Sequence, residues 1–130
     1  MLRYDSVSPR LQVRDVEETV RFYLDVLGFD GWSGWPEEQP NFAIVSRDGV
    51  SVQFQQSDGD TSQTAETTTL HFTVAEVRAV INQIGKKASI EWGPEVYSYG
   101  RREFAIRDCN GVMLIFSEIT GDPPTCPSDD

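Results

Sequence analysis

The chain repeats itself once, and that repeat constrains its fold more than any other feature. Val13-Arg14-Asp15-Val16 returns as Val74-Ala75-Glu76-Val77 at an offset of 61, and Phe42-Ala43-Ile44 returns as Phe104-Ala105-Ile106 at 62. Two separate matches at nearly one spacing read as an internal duplication. The turn at Asp48-Gly49 likewise has a counterpart in Asp108-Cys109-Asn110-Gly111. At 130 residues there is room for one cored domain and hardly for two. The repeats are therefore expected to be modules of one domain over residues 1–120, lying at 6–57 and 68–118. A flexible acidic tail is expected at 121–130.

Each module reads as βαβββ. Residues 6–14 alternate, with Pro9, Leu11 and Val13 on one face and Ser8, Arg10 and Gln12 on the other, the pattern of a half-buried strand. Asp15 is placed to cap a helix, with Glu18 three residues on completing a capping-box pattern. Val16, Val20, Tyr23, Leu24 and Leu27 recur at helical spacing, and Gly28 is the expected stop. The Gly- and Pro-rich stretch from Asp30 to Pro36 reads as a loop carrying Trp32 and Trp35. Two strand-like runs, 41–46 and 50–56, meet at an Asp-Gly hairpin signal. Residues 57–67 form a polar linker with no packing face. In the second module Leu70, Phe72 and Val74 alternate with Thr69, His71 and Thr73. Val77, Val80, Ile81 and Ile84 then form a helical stripe closed by Gly85.

Charge and composition exclude several functions. There are 11 basic and 21 acidic residues, a net charge of −10, and this field repels nucleic acid and anionic membranes. No apolar run approaches the roughly 18 residues of a membrane span. The first residues, Met1 to Asp5, contain no apolar signal-peptide core. Cys109 and Cys126 make neither a CxxC motif nor a disulfide framework. These features predict a reduced, cytoplasmic protein with no nucleic-acid or membrane partner. No GxGxxG, Walker or GxSxG motif is present, and neither cysteine has a histidine near it in sequence, so a nucleophilic enzyme has no support.

The segment Leu11-Gln-Val-Arg-Asp-Val-Glu-Glu-Thr-Val-Arg-Phe-Tyr-Leu-Asp-Val-Leu-Gly-Phe29 resembles the first strand and helix of the glyoxalase/bleomycin-resistance/dioxygenase superfamily. Tyr99-Gly-Arg-Arg-Glu-Phe-Ala-Ile-Arg-Asp-Cys-Asn-Gly111 resembles its last hairpin, and the likeness covers residues 6 to 118. It implies an α+β fold in which two βαβββ modules form a curled eight-stranded mixed sheet around a cavity. It also implies a homodimer with two equivalent sites. The superfamily includes isomerases, transferases, ring-cleaving dioxygenases and non-catalytic drug binders, so fold alone does not select an activity.

Catalytic members hold one divalent ion on the first and last strands of each module, through His, Glu or Gln. Carried over by position, the resemblance puts Ser8 and Gln53 there in the first module and Thr69 and Ile115 in the second. Neutral hydroxyls are weak ligands and isoleucine is none, so no metal and no other cofactor is expected. A displaced site built on His71, the only histidine, with Gln53 and a carboxylate is the alternative. It would make the protein a glyoxalase-type metal-dependent lyase, isomerase or dioxygenase.

Strand parity predicts the ligand-facing side chains. Leu11, Val13, Val52, Phe54, Phe72, Val74, Leu114 and Phe116 are expected beneath the helices. The opposite face then carries Ser8, Arg10, Gln12, Ser51, Gln53 and Gln55 from the first module. Thr69, His71, Thr73, Met113, Ile115 and Ser117 are its members in the second. Trp32, Trp35 and Tyr99 are expected either to line the groove, where flat rings hold planar or cationic ligands, or to fill an interface. Trp92 reads as packing, Arg101 and Arg102 as interface or solvent residues, and Glu103 as the partner of one of them. The function expected from these features is metal-independent binding and sequestration of a small, flat, cationic molecule, bleomycin-like antibiotics among the candidates. No catalytic residue is assigned.

Overall fold

A computed structural model describes residues 1–126 of the chain. Its elements run β1 (Arg10–Val13), α1 (Val16–Asp25), β2 (Gly31–Trp35), β3 (Phe42–Arg47), β4 (Val50–Gln56), α2 (Ser62–Thr67), β5 (Thr69–Thr73), α3 (Val77–Ile84), β6 (Ile90–Tyr97), β7 (Arg101–Arg107) and β8 (Met113–Ile119). They form two compact units, residues 1–61 and residues from 62 onward. Each unit has its own four-stranded sheet, ordered β1-β4-β3-β2 in the first and β5-β8-β7-β6 in the second. The first and last strands of each unit pair in parallel, and every other pair is antiparallel.

Local chemistry explains the first unit. The Asp15 carboxylate accepts the Glu18 N–H at 3.1 Å, capping α1. Val16, Val20 and Tyr23 are buried as the helical spacing predicts, and Thr19 joins them, its hydroxyl donating to the Asp15 carbonyl at 2.8 Å. Leu24 lies at the edge of this stripe and is only half-buried. Across from the helix stand Leu11, Val13, Ala43, Val45, Val52 and Phe54, all buried. Tyr23 is at the centre, with ring centroids 5.6 Å from Phe29 and 4.9 Å from Phe54. Burial of large side chains such as these contributes about 1.5–3 kcal/mol each. Asp48 takes φ +53° in the β3–β4 turn, a conformation that Asp tolerates better than most residues.

In the second unit Phe72, Phe116 and Phe104 form a row of stacked rings across β5, β8 and β7, with centroid spacings of 5.2 and 5.1 Å. The turn between β7 and β8 is organised by Asp108, whose buried carboxylate accepts the N–H groups of Asn110 at 2.8 Å and Val112 at 3.0 Å. Gly85 ends α3 with φ +56°, as expected.

Three expectations about the elements change. The first strand occupies only Arg10–Val13 of the expected 6–14. Gly31–Trp35 is a paired edge strand rather than a loop, because close approach at two glycines lets it lie against β3 and Pro40. The linker at 57–67 contains the short helix α2, which, as an element with no buried residue, keeps the polar character read from sequence. The described part of the tail is tied back: the Thr125 hydroxyl accepts the Val96 N–H at 2.7 Å and its own N–H donates to the Val96 carbonyl at 2.8 Å. Residues 127–130 of the expected tail lie outside the described residues.

The repeat itself carries a one-residue slip. Ala43 pairs with Phe54, whereas Phe104 pairs with Phe116, so by register Phe104 is the equivalent of Ala43 and Glu103 of Phe42. The Phe-Ala-Ile match at offset 62 therefore joins residues on opposite faces of their sheets. The cause is the β7–β8 turn, which takes one residue more than the β3–β4 turn between equivalent register positions, and in a strand a shift of one reverses every side chain.

Gly93 is the residue of β6 that this arrangement cannot exchange. It has φ +81° at an irregularity in the β6–β7 register, and a Cβ there would fall 2.4 Å from the Glu103 carbonyl oxygen. Gly93→Ala is expected to destabilise the protein by about 2 kcal/mol or more, read as a lower urea midpoint with unchanged slope. An unchanged midpoint would mean that the close approach is not required.

Candidate functional site

The polar face of the second sheet holds the most organised cluster. In the parallel β5–β8 pair His71 stands opposite Ile115, and in the β7–β8 pair Glu103 stands opposite Ser117. Alternation then puts His71, Glu103, Ile115 and Ser117 on one face, with Thr69 and Met113 at its far end. His71 Nε2 lies 3.1 Å from Glu103 Oε2, and the Tyr99 hydroxyl donates to Glu103 Oε1 at 2.5 Å. Arg101 Nη1 donates to the Ser117 hydroxyl at 3.1 Å.

Glu103 is only 5% exposed, while Tyr99 above it is 59% exposed. The Tyr99 ring is stacked on Tyr97 at 5.5 Å and 7°, and Trp92 meets Tyr97 edge-on at 6.4 Å. The result is an aromatic platform with a buried carboxylate at its foot. Burial alone pushes the Glu103 carboxyl up. Hydrogen bonds from Tyr99, Ser117 and His71, with the positive charge of His71 when protonated, outweigh that and hold it below its ordinary value. The expected pairing of Glu103 with Arg101 or Arg102 is not found. Arg102 instead bonds Glu118 at 3.2 Å and Asp122, because on a strand it points to the face opposite Glu103.

The equivalent face of the first sheet has different chemistry. Arg10 donates through Nε to Gln53 Oε1 at 3.0 Å, and its guanidinium carbon lies 4.7 Å from the centroid of Phe42. Phe42 in turn stacks on Trp35 at 5.8 Å. Gln55 donates to the Asn41 carbonyl at 3.2 Å, and the Ser51 hydroxyl donates to that of Ser8 at 2.8 Å. Gln12 is exposed on the same face. Trp32 is not part of it. Its register partner is the buried Val45, so it projects on the α1 side of the sheet, opposite to Trp35. The two tryptophans expected in one loop thus flank different faces.

The residues at the superfamily's metal positions do not fit a divalent ion. Ser8 is hydrogen-bonded to Ser51, the Gln53 oxygen is covered by a guanidinium, and Thr69 and Ile115 add no strong donor. Among the described residues no group of three or more His, Cys, Asp and Glu side chains is disposed to hold a metal.

Phe42, Tyr97 and Glu103 are not among the expected ligand-binding residues, whereas Ser117 is expected on this face and the structure adds its partner Arg101. Parity from His71 through β8 would have reached Glu103, had the length of the β7–β8 turn been known.

Because its folded pKa is depressed below 4.5, ionised Glu103 contributes stability that is complete above the ordinary carboxylate range. That contribution is lost as the pH falls through the lowered folded value. Glu103→Gln is therefore expected to be clearly less stable than the original protein near neutrality, with the gap narrowing on acidification, as read by urea unfolding at about pH 7 and about pH 3. A gap independent of pH would show that the charge of Glu103 is not what these bonds stabilise.

The glyoxalase family model, described as Glyoxalase/Bleomycin resistance protein/Dioxygenase superfamily, matches residues 3–116. Similar solved structures include the bleomycin-binding protein of bleomycin-producing Streptomyces verticillus complexed with copper(II)-bleomycin, at 24% identity and TM-score 0.72 over 94% of this chain and 100% of that one. The bleomycin resistance determinant encoded on the transposon Tn5 is 21% identical, with TM-score 0.72 over 89% and 98%. TioX from Micromonospora sp. ML1 is 17% identical, with TM-score 0.76 over 86% and 96%. No curated protein matches the chain in sequence. At these identities the likeness is one of fold, and with a family model spanning both modules it establishes that the chain belongs to the glyoxalase/bleomycin resistance protein/dioxygenase superfamily.

Proposed function

We propose that the protein binds and sequesters a small, flat, cationic molecule without using a metal of its own, and does so as a homodimer with two equivalent sites. The observation that carries this reading is the exposed Tyr99 ring, stacked on half-buried Tyr97, above the buried Glu103 carboxylate. Stacked phenol rings offer a π face to a planar ligand, and a fixed negative charge beside them favours a cation. The unfavourable donor set at Ser8, Gln53, Thr69 and Ile115 supports independence from metal. Fold relatives that bind bleomycin support ligand binding as the use of this architecture, and bleomycin-like antibiotics are the first compounds to try.

The His71–Glu103 contact favours one second reading, a displaced metal centre serving a lyase, isomerase or dioxygenase. It requires stoichiometric metal that survives dialysis and turnover that disappears in His71→Ala. Metal-free folded protein that still binds ligand would rule it out.

The primary test is tryptophan-fluorescence titration with bleomycin and other flat cationic antibiotics in metal-free buffer, with Trp92 beside Tyr97 as the reporter. Saturable quenching is expected, weakened about tenfold or more in Tyr99→Ala. Tyr99→Phe, which keeps the ring and loses the bond to Glu103, is expected to fall between. Absence of saturable quenching across the panel would remove the drug-binding reading for those compounds.

A further inference from the structure

Trp32 stands in a concavity on the α1 face of the first sheet. Its strand β2 is an edge strand, and the pairing of Trp32 with Val45 turns the indole toward α1. Gly34, the next residue on that face, makes the arrangement possible. A Cβ at Gly34 would come within 2.9 Å of the Pro40 Cβ and 3.0 Å of the Trp32 ring. The indole therefore lies along its own strand over Gly34, yet remains 50% exposed.

Its open surface is one wall of a groove of about 290 Å³. Val20 and Leu24 of α1, with Pro40, give the groove an apolar floor. Glu17, Glu37 and Glu38 stand at its rim with Arg21, three carboxylates against one guanidinium, leaving two negative charges in excess. Among the described residues no ion pair neutralises Glu17, Glu37 or Glu38.

We propose that this groove is a separate binding site for a small organic ammonium ion whose charged head rests on the Trp32 indole. Indole is the strongest cation–π acceptor among the side chains, and its effect is greatest where water is partly excluded. The apolar floor selects an alkylated ammonium over an inorganic ion, since it cannot replace a tightly held hydration shell but does accept methyl groups. The volume lies at the small end of the roughly 300–1,000 Å³ typical of ligand sites, so it suits a choline-sized head rather than a drug-sized body. This site belongs to the first unit and to the α1 side of its sheet. It shares no residue with the Tyr99–Glu103 platform and is tested without reference to it.

The test is a titration of the full chain with choline, followed through the indole N–H resonances of its three tryptophans. The uncharged isostere 3,3-dimethylbutan-1-ol serves as the control. The Trp32 resonance, assigned by its loss in Trp32→Phe, is expected to shift saturably with choline and far less with the alcohol. The paired substitution Glu37→Gln with Glu38→Gln, at exposed loop positions that leave the fold intact, is expected to weaken choline binding about tenfold. Added salt is expected to weaken it further in the original protein. Three results would overturn the proposal: a Trp32 resonance unmoved by choline, an equal response to the alcohol, or unchanged affinity in the doubly substituted protein.

Discussion

The parallel pairing of first and last strands in each unit, β1 with β4 and β5 with β8, sets which side chains of those strands share the polar face. Parallel neighbours cannot be joined by a tight turn, so the chain must leave the sheet and return, and the helix is the first part of that crossing. The helix then needs an apolar sheet face to cover it, and the period of two makes the opposite face polar by default. Arg10 consequently faces Gln53 across one ladder, and His71 faces Ile115 across the other. The remaining contacts follow diagonally, to Phe42 in the first sheet and Glu103 in the second.

These diagonal pairs show how two modules of one topology acquired different chemistry. Arg10 and Phe42 occupy the same register positions as His71 and Glu103. In the first unit a guanidinium covers an aromatic face, and because the ring is neutral the pair keeps the positive charge of Arg10. In the second a carboxylate is taken almost wholly out of water. That burial costs several kcal/mol for an isolated ion and is tolerable only when hydrogen bonds replace the lost hydration. Tyr99, Ser117 and His71 replace it, and in doing so they fix the Tyr99 ring against Tyr97. The cost of burying Glu103 and the order of the aromatic platform are thus one fact seen from two sides.

The sequence was most legible where a pattern had a single physical cause. Alternation of Leu11 and Val13 with Arg10 and Gln12 gave the faces of β1, and Asp15 marked the start of α1. The grouping of the candidate side chains was legible in part: His71, Ile115 and Tyr99 lie together on the second unit, and Gln53 with Arg10 on the first. Glu103 escaped because adjacent Arg101 and Arg102 are its obvious partners in one dimension, while its real partners depend on the length of a turn. The strand that carries Trp32 and Trp35 is hidden in the sequence for a related reason. Gly and Pro around them suggested a loop, but Gly31 and Gly34 are small because strand β2 is approached closely by Ser46 and Pro40. Composition does not distinguish those two uses of glycine.

An overall charge of −10 makes a general preference for cations easy to obtain and hard to make specific. Carboxylates on open surface attract any cation, and ordinary salt screens them within about 8–10 Å. Selectivity must then come from what surrounds the charge. Glu103 is held by hydrogen bonds from three neighbours beneath the stacked rings, so a cation of the proposed kind would meet a charge already in place. The rim of Glu17, Glu37 and Glu38 lacks such fixation, and there the proposed discriminating element is the Trp32 indole with its apolar floor. Both arrangements place an aromatic surface beside negative charge, and they differ in which of the two is held rigid.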